Sequence, residues 1–71
     1  MKISYNKLWK LLIDRNIKKQ ALKEATGIGS TTMTKLNGNQ LVSMEVMMKI
    51  CLFLECDIGD VMSFNFSEGN E

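Results

Sequence analysis

The chain has no histidine, no proline and only two cysteines in 71 residues, and its charges nearly cancel, with nine Lys and Arg against eight Asp and Glu. Each shortage excludes something. Without histidine there is no zinc finger built on Cys and His, and no Ser-His-Asp or Cys-His catalytic apparatus. The acids are scattered with no paired arrangement. The chain therefore reads as a non-enzyme, with no cofactor, no metal and no small-molecule substrate. Cys51 and Cys56 alone do not make a disulfide-stapled secreted domain. Five residues apart, they do not share a helix face, and they read as small apolar residues that stay reduced. No apolar run approaches the roughly 20 residues of a membrane span, and the polar start from Met1 to Asn6 lacks a signal-peptide core. The expected setting is cytoplasmic, with no membrane partner.

What is present suits a small globular domain: 45% apolar and 24% charged residues, with too much apolar content for a disordered tail. The length allows a single domain over residues 1–71, with a core at 4–62 and a tail at 63–71. A core of this size rarely supplies more than about 3–5 kcal/mol, so a second copy of the chain is a reasonable expectation. The net charge of +1 at first speaks against a nucleic-acid partner. Its distribution speaks otherwise. Residues 1–40 carry eight cations against two acids, or +6, and residues 41–71 carry one cation against six acids, or −5. Asymmetry of this kind points to a nucleic-acid face on one side.

Helical spacing organises most of the chain. Ser4 is expected to cap a first helix that runs to about Arg15, with Tyr5, Leu8, Leu11 and Leu12 inward. Asn16 would end it, since Asn tolerates the left-handed conformation. A second helix is predicted over Lys18 to Thr26, burying Ala21, Leu22 and Ala25, with Gly27 just past its end. A third is predicted over Ser30 to Asn37, with Met33 and Leu36 inward and Asn37-Gly38-Asn39 as the turn. Ser43 is expected to cap a fourth helix to about Glu55, with Met47, Ile50, Cys51 and Leu54 inward. Asp57 is expected to cap a short fifth helix to about Met62, with Asp60 completing a capping box. Ile28, Ile58 and Val61 complete the expected core. Lys2-Ile3-Ser4-Tyr5 and Ser63-Phe64-Asn65-Phe66 alternate in polarity and read as two short strands that pair.

The informative unit is helix, tight glycine turn, short helix, from Lys19 to Gly38. A short second helix after such a turn can present its outer face to a DNA major groove. The outer face here carries Ser30, Thr31, Thr34 and Lys35. With these residues in view, the chain resembles the small Cro/repressor-type, or XRE-like, helix-turn-helix proteins. The segment IKKQALKEATGIGSTTMTKLNG (residues 17–38) matches the core motif, SMEVMMKICLFLECDIGDVM (residues 43–62) the two helices that follow, and YNKLWKLLIDRNI (residues 5–17) the first helix. The likeness covers about residues 3–62. It is greatest to a minimal single-domain subgroup with Trp9 in the first helix and a late CDIGD segment. The resemblance implies an all-α, five-helix, lambda-repressor-like domain that binds operator DNA, usually as a homodimer, to regulate transcription. Three positions depart from the family pattern: Lys23 stands where Ala is frequent, and Lys18 and Gly29 stand where a capping Ser or Thr is frequent.

Ser30, Thr31 and Lys35 match positions where the family commonly touches bases. Thr32 and Thr34 read as phosphate contacts or neutral positions, and Asn37 and Asn39 as turn residues able to reach a phosphate. Lys18 and Lys19 sit at a helix N-terminus, where the dipole disfavours cations and a DNA phosphate would remove the conflict. An apolar surplus remains outside the core stripes: Trp9 and Ile13 in the first helix, and Met48, Leu52 and Phe53 in the fourth. Phe64 and Phe66 could cover part of it. The remainder is expected to form a dimer interface, so Trp9, Met48, Leu52, Phe53, Phe64 and Phe66 are the candidates there. The same surplus motivates an alternative, a protein-interaction module on this fold, of antitoxin-like or anti-repressor type.

Overall fold

The computed structural model describes residues 2–66. The chain runs through strand β1 (Lys2–Ser4), helix α1 (Asn6–Asp14), helix α2 (Lys19–Thr26), helix α3 (Ser30–Asn37), helix α4 (Met44–Leu54), a 3-10 turn (Ile58–Asp60) and strand β2 (Ser63–Asn65). The predicted tail beyond residue 66 lies outside the described residues.

Side chains that favour the left-handed conformation make most of the corners. Asn16 closes α1 at φ 58°, Gly27 closes α2 at φ 74°, and Asn39 follows α3 at φ 55°. These are the residue types for which that conformation is cheapest. Glu55, at φ 54°, ends α4 in the same conformation without that advantage. Ser43 caps α4 as predicted, its hydroxyl accepting the Val46 N–H at 3.2 Å. Asp57 and Asp60 form the expected reciprocal capping box.

Between the helices lies one apolar core of Tyr5, Leu8, Leu12, Leu22, Ile28, Met33, Leu36, Met47, Ile50, Leu54 and Val61. Each fully buried Leu or Ile there is worth about 1.5–3 kcal/mol relative to exposure. Leu11, Cys51 and Ile58 are only half-buried at its edge. The two predicted strands pair antiparallel, Lys2 with Asn65, Ile3 with Phe64 and Ser4 with Ser63. A pair this short is marginal alone, and Ile3 and Met62 fasten it by packing on the core.

Three expectations need correction. The predicted fifth helix is a single 3-10 turn, so the described residues hold four α-helices. Gly59 weakens helix formation there, Val61 leaves helical geometry at ψ −17° and φ −121°, and the chain must extend by Ser63 to pair with β1. Ser4 is the last residue of β1 and not the α1 cap; that position belongs to Tyr5. The buried side of α2 is Leu22 flanked by half-buried Lys23 and Thr26, while Ala21 and Ala25 are exposed. Thr26 can lie against the core because its hydroxyl is satisfied by the Leu22 carbonyl oxygen at 2.7 Å. The resulting rotation of α2 turns Lys23 toward α3.

Candidate nucleic-acid interface

Met33 and Leu36, both buried, fix the rotation of α3 about its axis. At 100° per residue, Thr31, Thr34 and Lys35 are then the outermost side chains. Ser30 and Asn37 lie along the edge next to α2. Thr32 falls on the other flank, half-buried, and is not brought together with the rest.

Two lysines one turn apart on α2 clasp that edge. Lys19 Nζ donates to Asn37 Oδ1 at 2.8 Å, and Lys23 Nζ donates to Ser30 Oγ at 2.8 Å. Lys19 also sits over the Trp9 ring, 4.2 Å from its centroid, a cation–π contact that holds its charge near the start of α2. The dipole conflict inferred at Lys19 is thus met in part by groups of the chain itself. Lys18 is the extended, exposed residue that precedes α2. Neither α2 nor α3 has a side-chain cap or an acid in its first turn. Both therefore begin with backbone N–H groups that no side-chain cap satisfies, partially positive at the helix start.

The loop after α3 is anchored to α1. Asn39 Oδ1 accepts the Tyr5 N–H at 3.0 Å, and the Tyr5 hydroxyl donates to the Gln40 carbonyl oxygen at 2.8 Å. Burial raises the Tyr5 pKa above the ordinary phenol value, with a backbone hydrogen bond from Val42 opposing it. Asn39 thus serves the turn, as expected, and also ties the C-terminal end of α3 to the first helix.

The two charged halves of the sequence do not become two faces. Lys7, Lys10 and Arg15 line a groove together with Asp14, Glu55 and Asp60. Lys7 donates to the Gly59 carbonyl oxygen at 3.1 Å, and Arg15 donates to the Leu54 carbonyl oxygen. Around α1, Lys7, Arg15 and Lys10 lie about 160°, 120° and 100° from Trp9, so the groove they line is turned away from the ring that Lys19 covers. Lys18, Lys19, Lys23 and Lys35 are the cations of α2, its start and α3. The sequence marks Lys23 as one of the N-terminal cations and as a departure from the family pattern, not as a neighbour of the third helix. Its position four residues after Lys19 is the signal that places both on one face.

The apolar surplus divides. Trp9 is half-buried against the core and lies under Lys19, at the start of the helix-turn-helix. Met48 and Leu52 are 67% and 80% exposed and border a groove with Cys51 and Cys56. Phe53 is turned about 100° from Leu52 around α4. Phe64 and Phe66 remain exposed and pack edge-to-face on each other, centroids 5.9 Å apart, so they leave Met48 and Leu52 uncovered. Cys51 and Cys56 do meet, contrary to the helix-face argument. The left-handed turn at Glu55 folds the chain back, the Cys56 N–H donates to the Cys51 carbonyl oxygen at 3.0 Å, and the two thiols come close enough to influence each other. Burial, then the neighbouring Cys56, pushes the Cys51 pKa up to about 11. Among the described residues no cluster of three or more His, Cys, Asp or Glu is placed to hold a metal ion, and no helix is long and apolar enough to cross a membrane.

Comparison with known proteins agrees with this geometry. The family model of the Cro/C1-type helix-turn-helix DNA-binding domain matches residues 7–67. The structure is similar to the crystal structure of the transcriptional regulator VanUg, form II, with a TM-score of 0.85 and 52% sequence identity, covering 87% of this chain and 83% of that one. No curated protein matches the chain.

Proposed function

The chain belongs to the Cro/C1-type helix-turn-helix DNA-binding family, and on that premise we propose that it regulates transcription by binding operator DNA as a homodimer, with α3 in the major groove. The observation that carries this reading is the rotation of α3. Met33 and Leu36 are buried beneath it, leaving Thr31, Thr34 and Lys35 exposed and Ser30 and Asn37 at the edge held by Lys23 and Lys19. Short hydroxyls and one lysine are suited to base edges. Lys18, Lys19 and the open N–H groups at the start of α2 are suited to a phosphate on the flanking backbone. Thr32 is the weakest member of the predicted contact set, because it is turned toward the core. The similarity to a transcriptional regulator at 52% identity supports the regulatory role, and the DNA-binding family supports a duplex over a protein as the partner of α3.

A second copy is proposed on the exposed Met48 and Leu52 face of α4, with Phe64 and Phe66 as a further apolar contribution. Two copies related by a two-fold axis would read two half-sites about 34 Å apart or a multiple of that. Selection of binding sites from a random duplex pool tests the reading. The expected product is a site with inverted half-sites, bound by two chains. Recovery of no preferred sequence refutes sequence-specific binding. A single asymmetric site bound by one chain refutes the dimer.

A further inference from the structure

The edge of α3 carries a hydrogen-bond polarity that residue types alone leave open. A serine or threonine hydroxyl can both donate and accept. At Ser30 the choice is biased by Lys23, whose ammonium lies 2.8 Å from Ser30 Oγ. An ammonium only donates, so it occupies a lone pair of the oxygen and turns the hydroxyl hydrogen away from itself. Ser30 then meets an incoming group as a donor. The nearby positive charge also disfavours an incoming amino group. Thr34 is biased the other way. Its hydroxyl donates to the Ser30 carbonyl oxygen at 3.0 Å, which spends its hydrogen and leaves lone pairs and the methyl group outward. One turn apart, α3 therefore presents a donor and then an acceptor.

Resting on the reading that α3 enters the major groove, we propose that Lys23 is a specificity-determining residue that acts through Ser30. By holding Ser30 as a donor, it favours a base edge that offers an acceptor at that point, such as guanine N7 or O6, adenine N7 or thymine O4. It disfavours an edge that offers the amino group of cytosine or adenine. Thr34 meets an amino group or a thymine methyl one turn further on. Lys23 sets this preference without touching a base.

The test compares a duplex selected by the wild-type protein with its single base-pair variants, in competition titrations of wild type, Lys23→Met, Lys23→Arg, Ser30→Ala and the Lys23→Met, Ser30→Ala double variant. Lys23→Met is expected to reduce discrimination at one base-pair position by about tenfold, in the range of one good base contact, and to leave the other positions unchanged. Lys23→Arg still donates and restores most of the preference. It also keeps the test open if the Met variant fails to fold. In the Ser30→Ala background, Lys23→Met changes nothing at that position. A uniform loss over all duplexes, or an equal effect of Lys23→Met with and without Ser30, overturns the inference, because Lys23 then acts on DNA directly. Selection by the wild type that Lys23→Met leaves unmoved also overturns it alone. A wild-type protein that selects no sequence overturns the DNA reading, and this inference with it.

Discussion

Replacing Lys18 with Gln should flatten the salt dependence of DNA binding by an amount the structure sets. Lys18 and Lys19 at the start of α2 are the proposed phosphate contacts, Lys19 keeping ammonium donors beyond the one it gives Asn37, while Lys35 is assigned to a base edge and Lys23 to Ser30. Lys7, Lys10 and Arg15 sit with acids in the groove on the other side of α1. Each neutralised phosphate contributes about −0.9 to the slope of log K against log salt. Two contacts in each of two copies give a slope of about −3.6, or roughly a hundredfold loss of affinity between about 50 and 200 mM salt. Lys18→Gln removes one contact per copy, which lowers that loss to roughly tenfold. Lys10→Gln should leave the slope unchanged. Anisotropy of a labelled duplex measures both variants. Emission from Trp9, the sole tryptophan, provides a second signal because the residue lies beneath Lys19. A wild-type slope shallower than about −1 refutes phosphate contact altogether, and an equal change from Lys10→Gln refutes the face.

Further outcomes follow from the core, the corners and the titratable groups. Leu36→Ala removes a fully buried side chain that holds α3 to the core and should cost about 2–5 kcal/mol; a thermal melt within a few degrees of wild type contradicts the packing described. Glu55→Gly relieves a left-handed residue at the end of α4 and should stabilise by up to about 1 kcal/mol, raising Tm by roughly 4–8 °C; an unchanged or lowered Tm counts against strain at that corner. Tyr5 is buried as the neutral phenol with a raised pKa, so its contribution is full below the ordinary value near pH 10 and lost as pH rises through the raised one. Phenolate absorbance of this single tyrosine should appear together with alkaline unfolding, and a normal titration in the folded state rejects the burial. Cys51, at about 11, should alkylate slowly near pH 8.5, where an ordinary thiol is half ionised. Labelling there as fast as in a short peptide rules out its protection.

Periodicity and corner chemistry were enough to read the helices. Leu8, Leu22, Met33, Leu36, Met47, Ile50 and Leu54 recur at helical spacing, and Asn16, Gly27 and Ser43 mark ends that follow from backbone sterics and capping. These are local properties, set by residues within a turn of one another, and so a sequence reveals them. The strand pair was legible for the same reason, in its alternation. The helix-turn-helix itself followed from the Gly27 turn and the apolar positions on either side.

What the tertiary structure decided is orientation and pairing across distance. The rotation of α2 that exposes Ala21 and Ala25, and brings Lys23 to Ser30, depends on how Leu22 is buried where α2 packs against α4, far along the chain. The separation of the cations into an α1 groove and a helix-turn-helix face depends on Glu55 and Asp60 returning beside α1. The meeting of Cys51 with Cys56 depends on one left-handed residue between them, and the position of Trp9 under Lys19 on the crossing of α1 and α2. Composition and spacing specify which side chains a helix carries and which of its sides is apolar. Only packing specifies what stands opposite each polar group, and with it the direction in which a hydroxyl or an ammonium is free to act.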